Sequence, residues 1–124
     1  MSNNNFTFDQ RLDTDFLLSI YEDDLEHAEL IFEQFLVVAP VQMKEIDESF
    51  ESGNVEIFRQ RLHKLKPVFS FVGLTWLTTK AEMLEKRCKE ISNLIEVKEL
   101  YYDLKKNHFE CIPIIKEELL RLKG

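Results

Sequence analysis

Apolar residues recur at helical spacing along most of the chain. Leu25, Ala28, Phe32, Phe35, Ala39, Met43, Ile46 and Phe50 keep to one face. That predicts a long helix over 23–51, about 42 Å at 1.5 Å per residue, bent at Pro40. Phe58, Leu62, Leu65, Phe69 and Val72 step by four, three, four and three, which predicts a second helix from an Asn54 cap to about Val72. Leu74, Leu77, Ala81, Leu84, Cys88 and Ile91 form a near-heptad and a third helix. The fourth, about 95–122, aligns Leu100 or Tyr101 with Leu104, Cys111, Ile115, Leu119 and Leu122, and Pro113 should kink it. Ahead of these, Asp13-Thr14-Asp15 caps a short helix to about Tyr21, carrying Phe16, Leu17 and Ile20, after an extended lead-in over 1–12.

The links are short. Ser52-Gly53-Asn54 ends one helix and starts the next, Gly73 closes the following one, and Ser92-Asn93 breaks the third. Turns this tight join antiparallel neighbours. The expected fold class is therefore all-α, an antiparallel up-down-up-down four-helix bundle over about 23–122 with a short additional N-terminal helix. One domain over 1–124 is expected, because 124 residues at 44% hydrophobic content suffice for one core. A second apolar line on the long helix, Leu30, Val37 and Val41, would be covered by the short helix or else serve to dock a partner. Trp76, Met83 and the phenylalanines read as core or core edge.

Composition narrows the setting. Met1-Ser2-Asn3-Asn4-Asn5 is polar and uncharged, so no signal peptide is expected. The longest apolar run, Phe35 to Val41, includes a proline and falls far short of the roughly 20 residues of a membrane span. Cys88 and Cys111 lack metal-ligand spacing and occupy apolar helical positions, which suits reduced core thiols in a cytoplasmic protein.

Charge isolates one stretch. Residues 59–66 hold four Lys or Arg and no Asp or Glu, which leaves −11 for the rest of a chain whose net charge is −7. A basic spot on an acidic body suits a small anion such as phosphate and disfavours nucleic acid. At about 100° per residue, Arg59, His63, Lys66 and Ser70 form a stripe roughly opposite the apolar face, so His63 should face water among cations. His27 and His108 lie at or beside apolar stripes and read as packed or capping residues.

These residues resemble the histidine phosphotransfer (HPt) family: His63, Leu65, Lys66, Gly73, the leucines at 74, 77 and 84, and Glu85, preceded by Phe35-Leu36, Ala39-Pro40 and the Ser52-Gly53-Asn54 turn. The likeness runs over about 13–90. It implies a relay step in which a receiver-domain phospho-aspartate gives its phosphoryl group to His63, which passes it to another receiver. Lys66 would stabilise the phosphoryl group, with Lys64 and Arg59 in support, and Pro67, Ser70 and Gln60 would lie on the partner-docking surface. The implied partners are response-regulator receiver domains and hybrid histidine kinases, met by a monomer; no nucleic acid or membrane is involved. Imidazole as a group titrates near about 6.5, so at pH 7 it offers a lone pair without a general base. Metal and acid catalysis would come from the receiver, and no cofactor, metal or nucleotide site is expected in this chain. One departure stands out: the family usually places Gly or another small residue four after the histidine, and this chain has Pro67.

Two other classes compete. One is an HPt-like bundle that docks a receiver as a regulatory adaptor without accepting phosphate. The other is a carboxylate-bridged metal enzyme, which wants Glu-x-x-His twice on inward faces; only Asp24-x-x-His27 comes near it.

Overall fold

The computed structural model describes residues 6–124; residues 1–5 of the expected lead-in lie outside them. Among the described residues there are five α-helices and no strand. They are α1 (Thr14–Tyr21), α2 (Leu25–Ser52), α3 (Val55–Ser70), α4 (Thr75–Cys88) and α5 (Lys98–Lys123). A short 3-10 helix, Leu94–Val97, runs into α5 and is closed by a reciprocal cap between Asn93 and Glu96. Helices α2 and α3, α3 and α4, and α4 and α5 pack in succession, and α5 returns against α2.

Capping chemistry sets the boundaries. The Asp24 carboxylate accepts from His27 N at 3.0 Å and starts α2, and Asn54 Oδ1 accepts from Ile57 N at 3.0 Å and starts α3. Gly53, at φ 76°, closes α2 in the left-handed conformation. Gly73 has a stricter requirement: its φ is 80°, and a Cβ there would lie 2.7 Å from Leu17 Cδ1 and 2.9 Å from Leu12 Cβ. Only glycine permits both that backbone and that approach. The turn between α3 and α4 thus becomes the seat of α1, pinned by Asp13 N donating to Gly73 O at 2.8 Å and Thr75 Oγ1 donating to Asp13 at 2.7 Å.

The core follows the apolar periodicity. Phe58, Leu62, Leu65 and Phe69 of α3 are fully buried, as are Phe32 and Ile46 of α2, Leu77 and Ala81 of α4, and Tyr101 and Ile115 of α5. Each large side chain contributes about 1.5–3 kcal/mol on burial, so this shared interior fixes how α3 is rolled. The lead-in is strapped across one end: Phe8 is buried, Asp9 N donates to the buried Glu118 at 2.8 Å, and Arg121 holds Thr7 O.

Several expectations are corrected. Leu30, Val37 and Val41 are not covered; they are 48%, 68% and 57% exposed. The reason is the anchoring of α1 at Gly73 and Thr75, extended by Tyr21 donating to Phe71 O at 2.8 Å, which keeps it off the outer side of α2. Trp76, Met83, Phe71 and Phe109 are exposed rather than core. Between Leu100 and Tyr101 the core takes Tyr101, whose hydroxyl donates to Asp47 at 2.7 Å. Helix α4 stops at Cys88, short of Ile91.

His108 is wholly buried among the rings of Phe35, Phe69 and Phe109, and neither ring nitrogen has a hydrogen-bond partner. Burial pulls its pKa down to about 4. The folded chain therefore keeps it neutral while the unfolded chain protonates it near about 6.5, so stability falls as pH drops through that interval. Replacing His108 with Leu should remove about 3 kcal/mol of acid sensitivity between pH 7 and 4, read as a diverging urea midpoint against wild type.

Candidate functional site

Because Leu62 and Leu65 point inward, His63 between them must point out, and its side chain is 66% exposed. The stripe Arg59, His63, Lys66 and Ser70 runs along the α4 side of α3. There it meets a residue from across the seam: Glu85, one position after the buried Leu84 and itself only 7% exposed. His63 Nδ1 lies 3.1 Å from Glu85 Oε2. Lys66 Nζ lies 2.8 Å from Glu85 Oε1 as an ion pair. Arg59 comes within 3.9 Å of the same carboxylate and is gripped from its own helix by Glu56 at 2.5 Å.

The expectation of an imidazole among cations alone is thereby corrected. Glu56 lies just outside the 59–66 window and Glu85 arrives from another helix, and both neutralise charge on the stripe. Burial pushes the Glu85 carboxyl up, but the ion pair with Lys66 and the bond from His63 outweigh it and hold the carboxyl below its ordinary value. The bond to Glu56 raises the Arg59 guanidinium further.

An ionised carboxylate can only accept, so the proton between Glu85 and His63 sits on Nδ1. That tautomer leaves the lone pair on Nε2, at the exposed edge of the ring. Cys88 does not compete as a nucleophile: burial pushes its thiol up to about 11. Among the described residues, no group of three His, Cys, Asp or Glu is placed to hold a metal ion.

The other named residues divide by side. Ser70 Oγ is 2.7 Å from Thr78 Oγ1, which also donates to Lys66 O at 3.1 Å, so Ser70 is tied into the α3–α4 seam. Gln60 is exposed and bonds Glu56 at 3.1 Å. Pro67 is exposed and lines an apolar cavity of about 240 Å³ against α2. Lys64 turns toward α2, where it lines a separate polar pocket with Arg61.

Two solved structures share this backbone. Histidine-containing phosphotransfer protein B (HptB) from Pseudomonas aeruginosa PAO1 matches with a TM-score of 0.79, over 90% of this chain and 96% of its own, at 18% identity. The HPT domain of the Hpt sensor hybrid histidine kinase from Shewanella matches with a TM-score of 0.77, over 89% and 94%, at 14% identity. The fold is that of an HPt domain. No protein-family model matches the sequence, and no curated protein does. At this level of identity the likeness is one of backbone, and the chemistry of this HPt fold has to be read from its own side chains.

Glu85 is the functional neighbour that periodicity passes over, standing in the sequence only as the acid after Leu84. A signal was present. Four residues after Ala81 and next to Leu84, it is an acid on the margin of an apolar stripe, where a carboxylate needs a partner.

Glu85→Ala should cost about 1 kcal/mol at pH 7, since Lys66 loses its counter-charge and His63 its hydrogen-bond partner. The folded carboxyl lies below 4.5, so its contribution is present above that pH and fades as pH falls through the folded value. Urea midpoints of the two proteins should accordingly converge in acid.

Proposed function

We propose that this chain is a phosphocarrier of a two-component relay, accepting a phosphoryl group on His63 from a receiver-domain phospho-aspartate and passing it to another receiver. The observation that carries the reading is the bond between His63 Nδ1 and Glu85 on an exposed side chain, which in the neutral ring leaves the lone pair on Nε2. In the forward step the Nε2 lone pair forms the N–P bond while the acyl-phosphate P–O bond breaks, and that electron pair leaves on the receiver's carboxylate. The ring becomes cationic, and Glu85, already on Nδ1–H, offsets the new charge. The HPt fold supports the reading.

Roles follow from position. Lys66, 20% exposed and one turn from His63, supplies positive charge beside the phosphoryl group, and Arg59 supports it from the preceding turn. Gln60 and Pro67 lie on the exposed crest that a receiver would cover, with Ser70 at its edge. The same proposal takes 1–124 as one domain and the ring of packing α2–α3–α4–α5, joined by short turns, as an up-down-up-down four-helix bundle. It takes the protein as a cytoplasmic monomer that meets receivers and hybrid kinases transiently. No helix among the described residues is long and apolar enough to cross a membrane.

One observation favours the adaptor alternative, in which a receiver docks without transfer. Lys66 and Arg59 are already paired with carboxylates, so less positive charge is free for a phosphoryl group than the sequence suggested. Incubation with phosphorylated receivers separates the two readings. Phosphate should appear on wild type, acid-labile and base-stable, with the ³¹P signature of an Nε2 adduct, and should be absent from His63→Gln. Docking without label would establish the adaptor.

Lys66→Ala should slow transfer at least several-fold. Its stability should fall by no more than about 1 kcal/mol, because the pair it breaks is partly exposed and Ala is the better helix former. Stopped-flow transfer rates and urea midpoints check the separation.

A further inference from the structure

The four cations of residues 59–66 divide between the two flanks of α3. Arg59 and Lys66 face α4 and are matched by Glu56 and Glu85. Arg61 and Lys64 face α2, and among the described residues no carboxylate pairs with either. In a chain with 23 acids to 16 bases, two neighbouring cations left without a counter-charge call for an account. Arg61 is nonetheless held in place, because it donates to the backbone oxygen of Glu45 on α2. A guanidinium carries five N–H donors, so most of its fork stays available.

Arg61 and Lys64 line, with Gln42 and Glu45, a pocket of about 210 Å³ between α2 and α3. One water needs only about 10–15 Å³, so a lone bridging solvent molecule does not fill it. Two further groups in the lining are unused by the fold. The side-chain oxygen of Gln42 is shut off from solvent without a hydrogen-bond partner, which leaves the amide N–H2 as the end that lines the pocket. The Glu45 carboxylate is exposed and lies beyond ion-pair reach of both cations. The pocket thus offers three kinds of donor, on Arg61, Lys64 and Gln42, and one strong acceptor. Its occupant must be an anion that also has a proton to give. Sulfate and an ionised carboxylate only accept, whereas hydrogen phosphate accepts through its bare oxygens and donates through its O–H.

We propose that Arg61, Lys64, Gln42 and Glu45 form a binding site for free hydrogen phosphate, in which the first three donate to its anionic oxygens and the Glu45 carboxylate accepts its O–H. The site is separate from the imidazole: none of its four side chains shares a hydrogen bond or ion pair with His63, Lys66 or Glu85, so it does not depend on the phosphotransfer reading. Glu45 supplies the selectivity. Against sulfate it sets like charges together with no proton between them, and a site built to accept an O–H rejects an analogue that lacks one. Binding of the dianion takes the pocket from one net positive charge to one net negative, which makes this flank of α3 responsive to free phosphate.

The test titrates the full chain, labelled with ¹⁵N, with inorganic phosphate, sulfate or methyl phosphate at pH 8 and constant ionic strength, and follows the side-chain N–H signals of Arg61 and Gln42. At this pH methyl phosphate matches hydrogen phosphate in charge but has no O–H. Inorganic phosphate should give saturable shifts with a millimolar dissociation constant, and sulfate and methyl phosphate should bind at least about fivefold more weakly. Arg61→Gln and Lys64→Gln should each weaken phosphate about tenfold. Glu45→Gln should abolish the preference by bringing sulfate up to the level of phosphate, an outcome that a merely structural glutamate would not give. Lys64 and Glu45 are exposed, so these two variants keep the fold and the test survives if Arg61→Gln does not. His63→Gln should bind phosphate as wild type does. Equal shifts from all three anions, an absence of saturation, or phosphate binding indifferent to Lys64→Gln and Glu45→Gln would overturn the site, and loss of binding in His63→Gln would move the anion to the imidazole and overturn it equally.

Discussion

The Glu85 carboxylate is the interaction on which the geometry around His63 depends. It reaches across from α4 to hold Nδ1 of His63 and to pair with Lys66, and it can do so only because the two helices are locked in register. The lock is built from the core upward. Leu62, Leu65 and Phe69 bury against Leu77, Ala81 and Leu84, and this roll turns His63 outward and brings Glu85 to the seam. Above the core, Thr78 bonds both Ser70 and the carbonyl of Lys66, a second fastening one turn along. At the end of the seam, Gly73 takes the left-handed backbone that lets α3 reverse into α4 without a linker. A shift of one turn in either helix would separate Glu85 from His63 by about 5.4 Å and remove the bond that fixes the tautomer.

That geometry reinterprets the electrostatics. An acidic body with a basic stripe suggested a patch waiting for an anion. In the folded chain the stripe is divided by α3 itself. The side facing α4 is internally compensated, so what it offers is a fixed imidazole and fixed cations more than net charge. On the side facing α2, Arg61 and Lys64 form no ion pair and line a polar pocket with Gln42 and Glu45. A single helix thus presents two surfaces of different character within about 100° of each other.

How much of this was legible before folding depends on range in sequence. Periodicity identifies every long helix, since Phe58 to Phe69 or Leu74 to Cys88 repeats within a few residues, and neighbours such as Asn54 and Gly53 set the boundary between α2 and α3. The exposure of His63 follows from the same local arithmetic. What depends on contacts between helices was not legible. The pairing of Glu85 with His63 spans 22 residues, and the exposure of Leu30, Val37 and Val41 depends on where α1 is anchored, which is decided at Gly73 and Thr75. Lys64 and Arg61 look equivalent to Arg59 and Lys66 in composition, and only the packing of α2 and α4 on opposite flanks of α3 tells them apart.

Pro67 joins these strands of argument. In a helix interior proline removes an N–H and costs about 3 kcal/mol relative to alanine, yet α3 continues through it to Ser70, and Phe71 N still bonds Pro67 O at 3.0 Å. The helix tolerates it because the buried Phe69 and the Thr78 bonds hold the last turn from outside. A glycine here, as the family resemblance would have it, would leave the crest bare beside His63. The pyrrolidine ring instead extends the apolar surface of Val68 and Phe71 up to within one turn of the imidazole. The residue that departs from the family pattern is therefore the one that joins the exposed side of His63 to the apolar cavity between α2 and α3.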